Sequence, residues 1–290
     1  MNILLQVVAG LMYSLVLWII VSGFMLKFSN LRIPDFAHAS LYMLGAYASY
    51  SVATLLGDST LGFFAAMVAS FISLSLVGGL VEVLLLRRLY RAEHILQALI
   101  TFALVLVIAD VVRLGWGLQP MIMSKPQFLR GSFDLAGYTL PDQYILILVV
   151  AVVVGVALWF LIYRTRAGAI IRAITSDPEM ASGLGINVPR WTTGIFMLGS
   201  GLAGLGGSLI VLQSALGPGM DLAVSFNLFI VIIIGGMGSM LGCLIAVLLL
   251  GQLNSLGTVF FPDLSMAIPF ILMAAVLVVR PWGLLGKPER

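Results

Sequence analysis

Between Ile3 and Leu26 the chain runs 24 residues without a charged side chain, and apolar runs of comparable reach recur down to Val279. As a helix, such a run crosses roughly 30 Å of hydrocarbon. Inside a bilayer every backbone N–H and C=O must be satisfied by the protein itself, which leaves helices or a closed barrel. Barrel strands alternate apolar and polar side chains over about ten positions, and these runs do not alternate. The fold class is therefore all-α, a polytopic transmembrane helical bundle forming one membrane-embedded domain over residues 1–290. With 61% hydrophobic and 9% charged residues, no soluble globule fits the composition.

Charge placement gives an expected topology. Nothing basic precedes Ile3 while Lys27 and Arg32 follow the first run, so the positive-inside bias puts the N-terminus outside. The second segment is expected to open at Pro34 and reach Leu56, with Gly57-Asp58-Ser59-Thr60 as an outer turn. Leu61 to Val81 returns to a cytoplasmic cluster of Arg87, Arg88 and Arg91, and Ile95 to Val112 goes out again. Gly115 to Asp142 carries Pro120, Pro126 and Pro141 and reads as an external loop without periodicity. Tyr144 to Tyr163 comes back, and Trp191 to Leu216 is dense in glycine, which permits close helix approach. Leu222 to Gly251 is uncharged for 30 residues, too long for one simple span, and is interrupted by Gly235-Gly236-Met237-Gly238-Ser239. A single crossing there would strand Arg280, Lys287 and Arg290 outside. A broken or re-entrant arrangement at the glycines gives about eight apolar segments and a cytoplasmic C-terminus.

The longest charge-bearing interruption is Arg164 to Arg190, expected to be a cytoplasmic arm. Ala167, Ile170, Ile171 and Ile174 recur at helical spacing and form an apolar stripe, leaving Arg166 and Arg172 to face water. A second short helix follows. Asp177 suits an N-cap, Pro178 the first helical position and Glu179 the positive end of the dipole, while Gly183 or Gly185 ends it. Such a helix fits a groove on a soluble partner, although helix grammar alone describes an ordinary cytoplasmic loop equally well.

Few residues offer chemistry. Asp35 and His38 sit one turn apart at the start of the second segment, where ionisable groups are functional candidates. The plainer alternative is a first-turn carboxylate held by free N–H groups, with His38 hydrogen-bonded to it. Asn227, Ser239, Gln252 and Asn254 either line a path or bond between helices. Asp110 and Arg113 read as an ion pair at a span end, Glu82 as the neutraliser of the nearby arginines, and His94 as solvated. Two scattered histidines and one cysteine make no metal site, no catalytic constellation is evident, and the dispersed basic residues make no nucleic-acid patch. No G-x-x-x-x-G-K-[ST] occurs, so this chain does not bind ATP by that route.

Four stretches resemble permeases of ATP-binding-cassette importers, in particular the branched-chain amino-acid permease family. They are Asp35-Phe36-Ala37-His38-Ala39 with Met43-Leu44-Gly45-Ala46-Tyr47, Glu179 to Asn187, Gly235 to Ser239 followed by Gly242, and Val279 to Gly286. The family typically shows Asn where Asp35 stands and Gly where Ala39 stands. The resemblance implies a bacterial inner-membrane subunit translocating leucine, isoleucine and valine. It implies four kinds of association: a second homologous permease subunit, two cytoplasmic ATPase subunits that bind ATP and Mg, a periplasmic or lipid-anchored binding protein, and a small-molecule substrate. It further implies that Arg166, Arg172, Asp177, Pro178, Glu179, Ala181, Gly183 and Gly185 couple to the ATPase. Asp35, Phe36, His38, Tyr42, Asn227, Gly235, Gly236, Gly238 and Ser239 would line the path or gate. Urea, short amides or other small carboxylates are alternative cargoes, and a self-sufficient secondary carrier or channel is the competing class.

Overall fold

A computed structural model describes residues 3–31, 35–57, 59–90, 92–135, 137–236 and 238–286. Arg32, Pro34, Asp58, Arg91, Met237, Lys287, Pro288 and Arg290, on which parts of the expected topology rested, lie outside the described residues. The chain is a bundle of α-helices: α1 Ile3–Leu31, α2 Ala37–Leu56, α3 Thr60–Leu84, α4 His94–Trp116, α5 Gln143–Arg164, α6 Arg166–Ser176, α7 Pro178–Gly183, α8 Val188–Ile210, α9 Met220–Gly235, α10 Met240–Phe260 and α11 Ile268–Val279. Six of them, α1, α3, α4, α5, α8 and α10, are long and apolar enough to cross a membrane, while α9 and α11 are shorter apolar helices.

Small residues decide which helices meet. Helix α8 is the central post, buried along Gly199 to Leu209 and packed on α1, α2 and α3. A Cβ on Gly199 would sit 2.6 Å from the Gly23 carbonyl oxygen of α1, and one on Gly204 would sit 2.8 Å from the Ser70 carbonyl oxygen of α3. The Ser70 hydroxyl lies 2.9 Å from the carbonyl oxygens of both Gly45 and Gly204 and so pins α2, α3 and α8 at one point. In lipid, where apolar burial gives no net drive, such close backbone contact and interhelical hydrogen bonding supply the association energy.

The uncharged run after Leu222 forms two helices, broken at the glycines as expected. Helix α9 ends at Gly235, the backbone turns through Gly236 and Gly238 at φ 92° and 83°, and α10 starts under the Ser239 cap. The turn faces Ser29 near the end of α1. Helix α10 runs back until Gln252 and Ser255 bond the carbonyls of Val7 and Gln6 near the start of α1. Helix α11 then returns, and the Leu284 amide donates to the Ile234 carbonyl at 2.7 Å. The C-terminal segment therefore lies at the same end of the bundle as the α9–α10 turn and the foot of α1.

The loop between α4 and α5 is more ordered than its composition suggested. Ser132–Leu135 (β1) and Tyr138–Pro141 (β2) pair as an antiparallel hairpin. Met121 exchanges two 2.8 Å backbone bonds with Leu216, fastening the loop to the far end of α8. Trp116 Nε1 donates to Ser51 Oγ at 2.7 Å, and Phe128 packs on Phe63 and Phe64.

Candidate functional site

The arm is built as its sequence grammar requires. Thr165 caps α6 by accepting from the Gly168 amide, and Gly168 presses on the last carbonyls of α5 so closely that any side chain there would overlap them. Ile174 and Gly168 are buried with Ala167, Ile170 and Ile171 partly covered, which is the expected stripe. Arg166 is exposed. Arg172 does more than face water: its guanidinium donates to the Ile162 carbonyl and lies 6.0 Å from the Tyr163 ring centre, tying the middle of α6 to the end of α5.

Asp177 Oδ1 accepts from the Met180 amide at 2.9 Å, Pro178 occupies the first turn and Glu179 lies beside the free N–H groups of α7. Ala181 is buried, Gly183 ends the helix in open space, and Gly185 takes φ 83°, letting the Ile186 amide reach back to the Ala181 carbonyl at 3.1 Å. Asn187 caps α8 in turn. The tip of this turn carries Met180, 63% exposed, and Leu184, 75% exposed. Two large apolar side chains one turn apart on a projecting helix are the shape of an anchor for a groove.

The second group of candidates separates into two places. Asp35 precedes α2; its carbonyl accepts from the His38 amide at 3.4 Å, but its carboxylate does not engage the His38 ring. Its carboxylate takes the Lys27 ammonium of α1 at 3.1 Å, with side chains only 4% and 2% exposed, and Lys27 also lies 4.6 Å from the Phe196 ring centre. His38 Nε2 is 3.0 Å from the Ile20 carbonyl oxygen, its Nδ1 has no partner among the described residues, and its ring lies 5.4 Å from Phe24. Phe36 meets Phe229 of α9 at 4.7 Å, and Phe229 meets Phe24 at 5.2 Å. Tyr42 is buried, Asn227 donates to the Tyr13 hydroxyl at 2.8 Å, and Ser40 donates to Asp221 at 2.6 Å with both side chains buried. A polar seam thus runs between α1, α2 and α9.

Gly235, Gly236, Gly238 and Ser239 are elsewhere. They form the α9–α10 turn, and the C-terminal segment covers it: Leu284 and Leu285 donate to the carbonyls of Ile234 and Gly235 at 2.7 and 3.3 Å. A Cβ on Gly283 would come 2.6 Å from Gly236 Cα. The glycine break and the Arg-Pro-Trp-Gly-Leu-Leu-Gly tail are therefore one structural unit, in which the tail satisfies carbonyls that a helix end otherwise leaves free.

Sequence reasoning missed Lys27, read only as a marker of topology, and Asp221. It also underread Glu82, which neutralises Arg87 but is fully buried and bonds Tyr90 and Thr193 as well. Burial, and then the hydrogen bond to Glu82, push the Tyr90 phenol well above its ordinary value, so it remains a donor. Asp110 and Arg113 pair at 3.3 Å on an exposed face, as read from their spacing. The His94 side chain lies outside the described residues.

Residues 6–277 match the family described as the branched-chain amino acid transport system / permease component. The chain belongs to that family. It is 30% identical to the high-affinity branched-chain amino acid transport system permease protein BraD of Pseudomonas aeruginosa, covering 98% of this chain and 96% of that one. It is 25% identical to LivH of Escherichia coli strain K12, a permease protein of the same description, over 93% and 91% of the two chains. The nucleoside ABC transporter permease protein NupC of Lactococcus lactis is 30% identical over 38% of this chain and 35% of its own. No solved structure matches. Membership makes the chain a multi-pass membrane permease component that works with the other parts of an ATP-binding-cassette transporter, rather than an enzyme.

Proposed function

We propose that the chain is the membrane subunit of an importer that carries branched-chain amino acids across a bacterial inner membrane. Two ATPase subunits, holding ATP and Mg, dock on its arm, a second homologous permease subunit completes the path, and a periplasmic or lipid-anchored binding protein delivers cargo. The observation that carries the reading is the exposed apolar tip of α7, Met180 and Leu184, on an arm whose two roots are fixed into the bundle. Lys27, Arg87, Arg88, Arg164, Arg166, Arg172, Arg190 and Arg280 share the arm end, against Arg113, Lys125 and Arg130 at the loop end. That bias favours a cytoplasmic arm and C-terminus with the N-terminus outside.

In this reading ATP binding closes the ATPases around α7, and Asp177, Pro178, Glu179, Ala181, Gly183 and Gly185 hold the short helix rigid enough to transmit the displacement. The seam at Asp35, Phe36, His38, Tyr42 and Asn227 opens to one side or the other, while Gly235, Gly236, Gly238 and Ser239 form the turn at the far end of α9, where it can swing relative to α10. The test is purification in mild detergent, identification of the co-purifying proteins, and leucine uptake by the reconstituted assembly. Uptake that requires ATP and the binding protein supports the proposal. Uptake by the chain alone on a proton gradient refutes it, and ATP-driven uptake of urea or short amides in place of leucine would move the cargo.

A further inference from the structure

Glu82 stands in the last turn of α3 with its side chain fully buried, and both carboxylate oxygens are saturated. Oε1 accepts from Arg87 Nε at 3.1 Å and from the Tyr90 hydroxyl at 2.7 Å. Oε2 accepts from Arg87 Nη2 at 2.9 Å and from Thr193 Oγ1 at 2.7 Å. Arg87 Nη2 also donates to Thr193 Oγ1 and reaches the Pro189 carbonyl at 3.5 Å. Arg87 and Tyr90 belong to the turn after α3, whereas Pro189 and Thr193 belong to the first turns of α8, directly after the arm. A neutraliser of loop arginines has no need of Thr193, and burying a carboxylate is costly unless every lone pair is used.

We propose that Glu82, through Thr193, is a positioning residue for transport: the joint that makes α3 follow when the arm displaces the start of α8. The inference rests on the importer reading above. A satisfied buried network resists separation more than its members do singly, so α8 cannot shift at its arm end without carrying α3. Beyond the joint the two helices lie together through Gly78 against Ser200 and Gly201 against Ser75, and Ser70 extends the contact to α2, whose start bears Asp35 and His38. Displacement at α7 is thereby delivered to the polar seam as motion of one body.

The test uses the assembled transporter reconstituted with its ATPase and binding protein, reading cargo moved per ATP hydrolysed. Thr193→Val keeps the side-chain shape and removes the hydroxyl; Thr193→Ser restores it. Tyr90→Phe removes a donor to Glu82 without touching α8. Thr193→Val is expected to lower the ratio roughly five- to tenfold while hydrolysis stays within about twofold, with Thr193→Ser and Tyr90→Phe near the parent. An unchanged ratio in Thr193→Val, or transport and hydrolysis falling together, overturns the joint. If the parent complex shows no ATP-driven uptake the importer reading fails instead, and amide exchange in residues 188–194 decides: faster exchange in Thr193→Val but not Thr193→Ser keeps the joint, and equal exchange removes it.

Discussion

The Lys27–Asp35 pair offers the sharpest energetic test of the bundle. Its atoms are 3.1 Å apart and the side chains are 2% and 4% exposed, so neither charge has water to fall back on. Lys27→Met keeps the aliphatic stem that fills the groove over Gly199 but leaves the Asp35 carboxylate buried and alone. Asp35→Leu strands the ammonium 4.6 Å from the Phe196 ring centre without its carboxylate partner. Each single change should cost about 3–5 kcal/mol, whereas removing both charges together should be close to neutral. Cys243, the chain's sole cysteine, is fully buried and supplies the assay: a thiol-reactive dye in detergent reports unfolding as the temperature rises. Both single variants should lower the midpoint by on the order of 10 °C, and the double variant should regain most of it. A double variant that falls by the sum of the two losses would mean that the charges do not interact, and the polar seam as described would be wrong.

Gly236 adopts φ 92° with the tail against it, so Gly236→Ala should expel Leu284 and Leu285 from their carbonyl partners. The lost bonds and strained backbone amount to roughly 2–4 kcal/mol, read as faster amide exchange at both leucines; unchanged protection would refute the cap. Met180→Asp with Leu184→Asp alters only exposed side chains, so thermal stability should hold while the ATPase no longer co-purifies; undiminished co-purification would remove the tip from the docking surface. Glu179→Lys places a cation at the positive end of α7, and Gly183→Pro removes one of its amides. Both should abolish uptake while the subunit still inserts, and uptake at the parent level in both would exclude the arm from the mechanism.

Whatever depended on local pattern could be read from the sequence. The uncharged runs gave the spans, and Asp177-Pro178-Glu179 with Gly185 gave α7 residue by residue, because capping and helix dipoles act within one turn. What depended on distant partners could not. Asp35 and Lys27 are eight residues apart, Lys27 within α1 and Asp35 ahead of α2, so the i, i+3 spacing to His38 pointed to the wrong side-chain partner. Thr193 reaches Glu82 across 111 positions, and Leu284 covers a carbonyl on α9. A 30-residue uncharged run alone does not declare whether it crosses once or twice, and here the basic residues behind it pointed to a break at its glycines. Two positive-φ glycines decide that it turns, and glycine in a membrane segment equally often marks a packing contact, as Gly199 and Gly204 do here.

The two halves of the molecule differ in how they are joined, and the difference bears on what moves. Helices α2, α3 and α8 are joined by close glycine contacts and the Ser70 bridge. Helices α9 and α10 meet at a turn of permissive glycines held by two amides of the tail. Between them, Phe36 and Phe229 make an aromatic contact, and Ser40 of α2 donates a buried 2.6 Å hydrogen bond to Asp221 of α9. The aromatic pair is worth about 0.5–1.5 kcal/mol beyond its buried area and a hydrogen bond to a charged group about 1.5–3 kcal/mol, so the Ser40–Asp221 bond is the stronger link between α2 and α9. If α2, α3 and α8 depart together from α9, the Ser40–Asp221 bond has to break along with the Phe36–Phe229 contact, and Ser40→Ala should ease that opening.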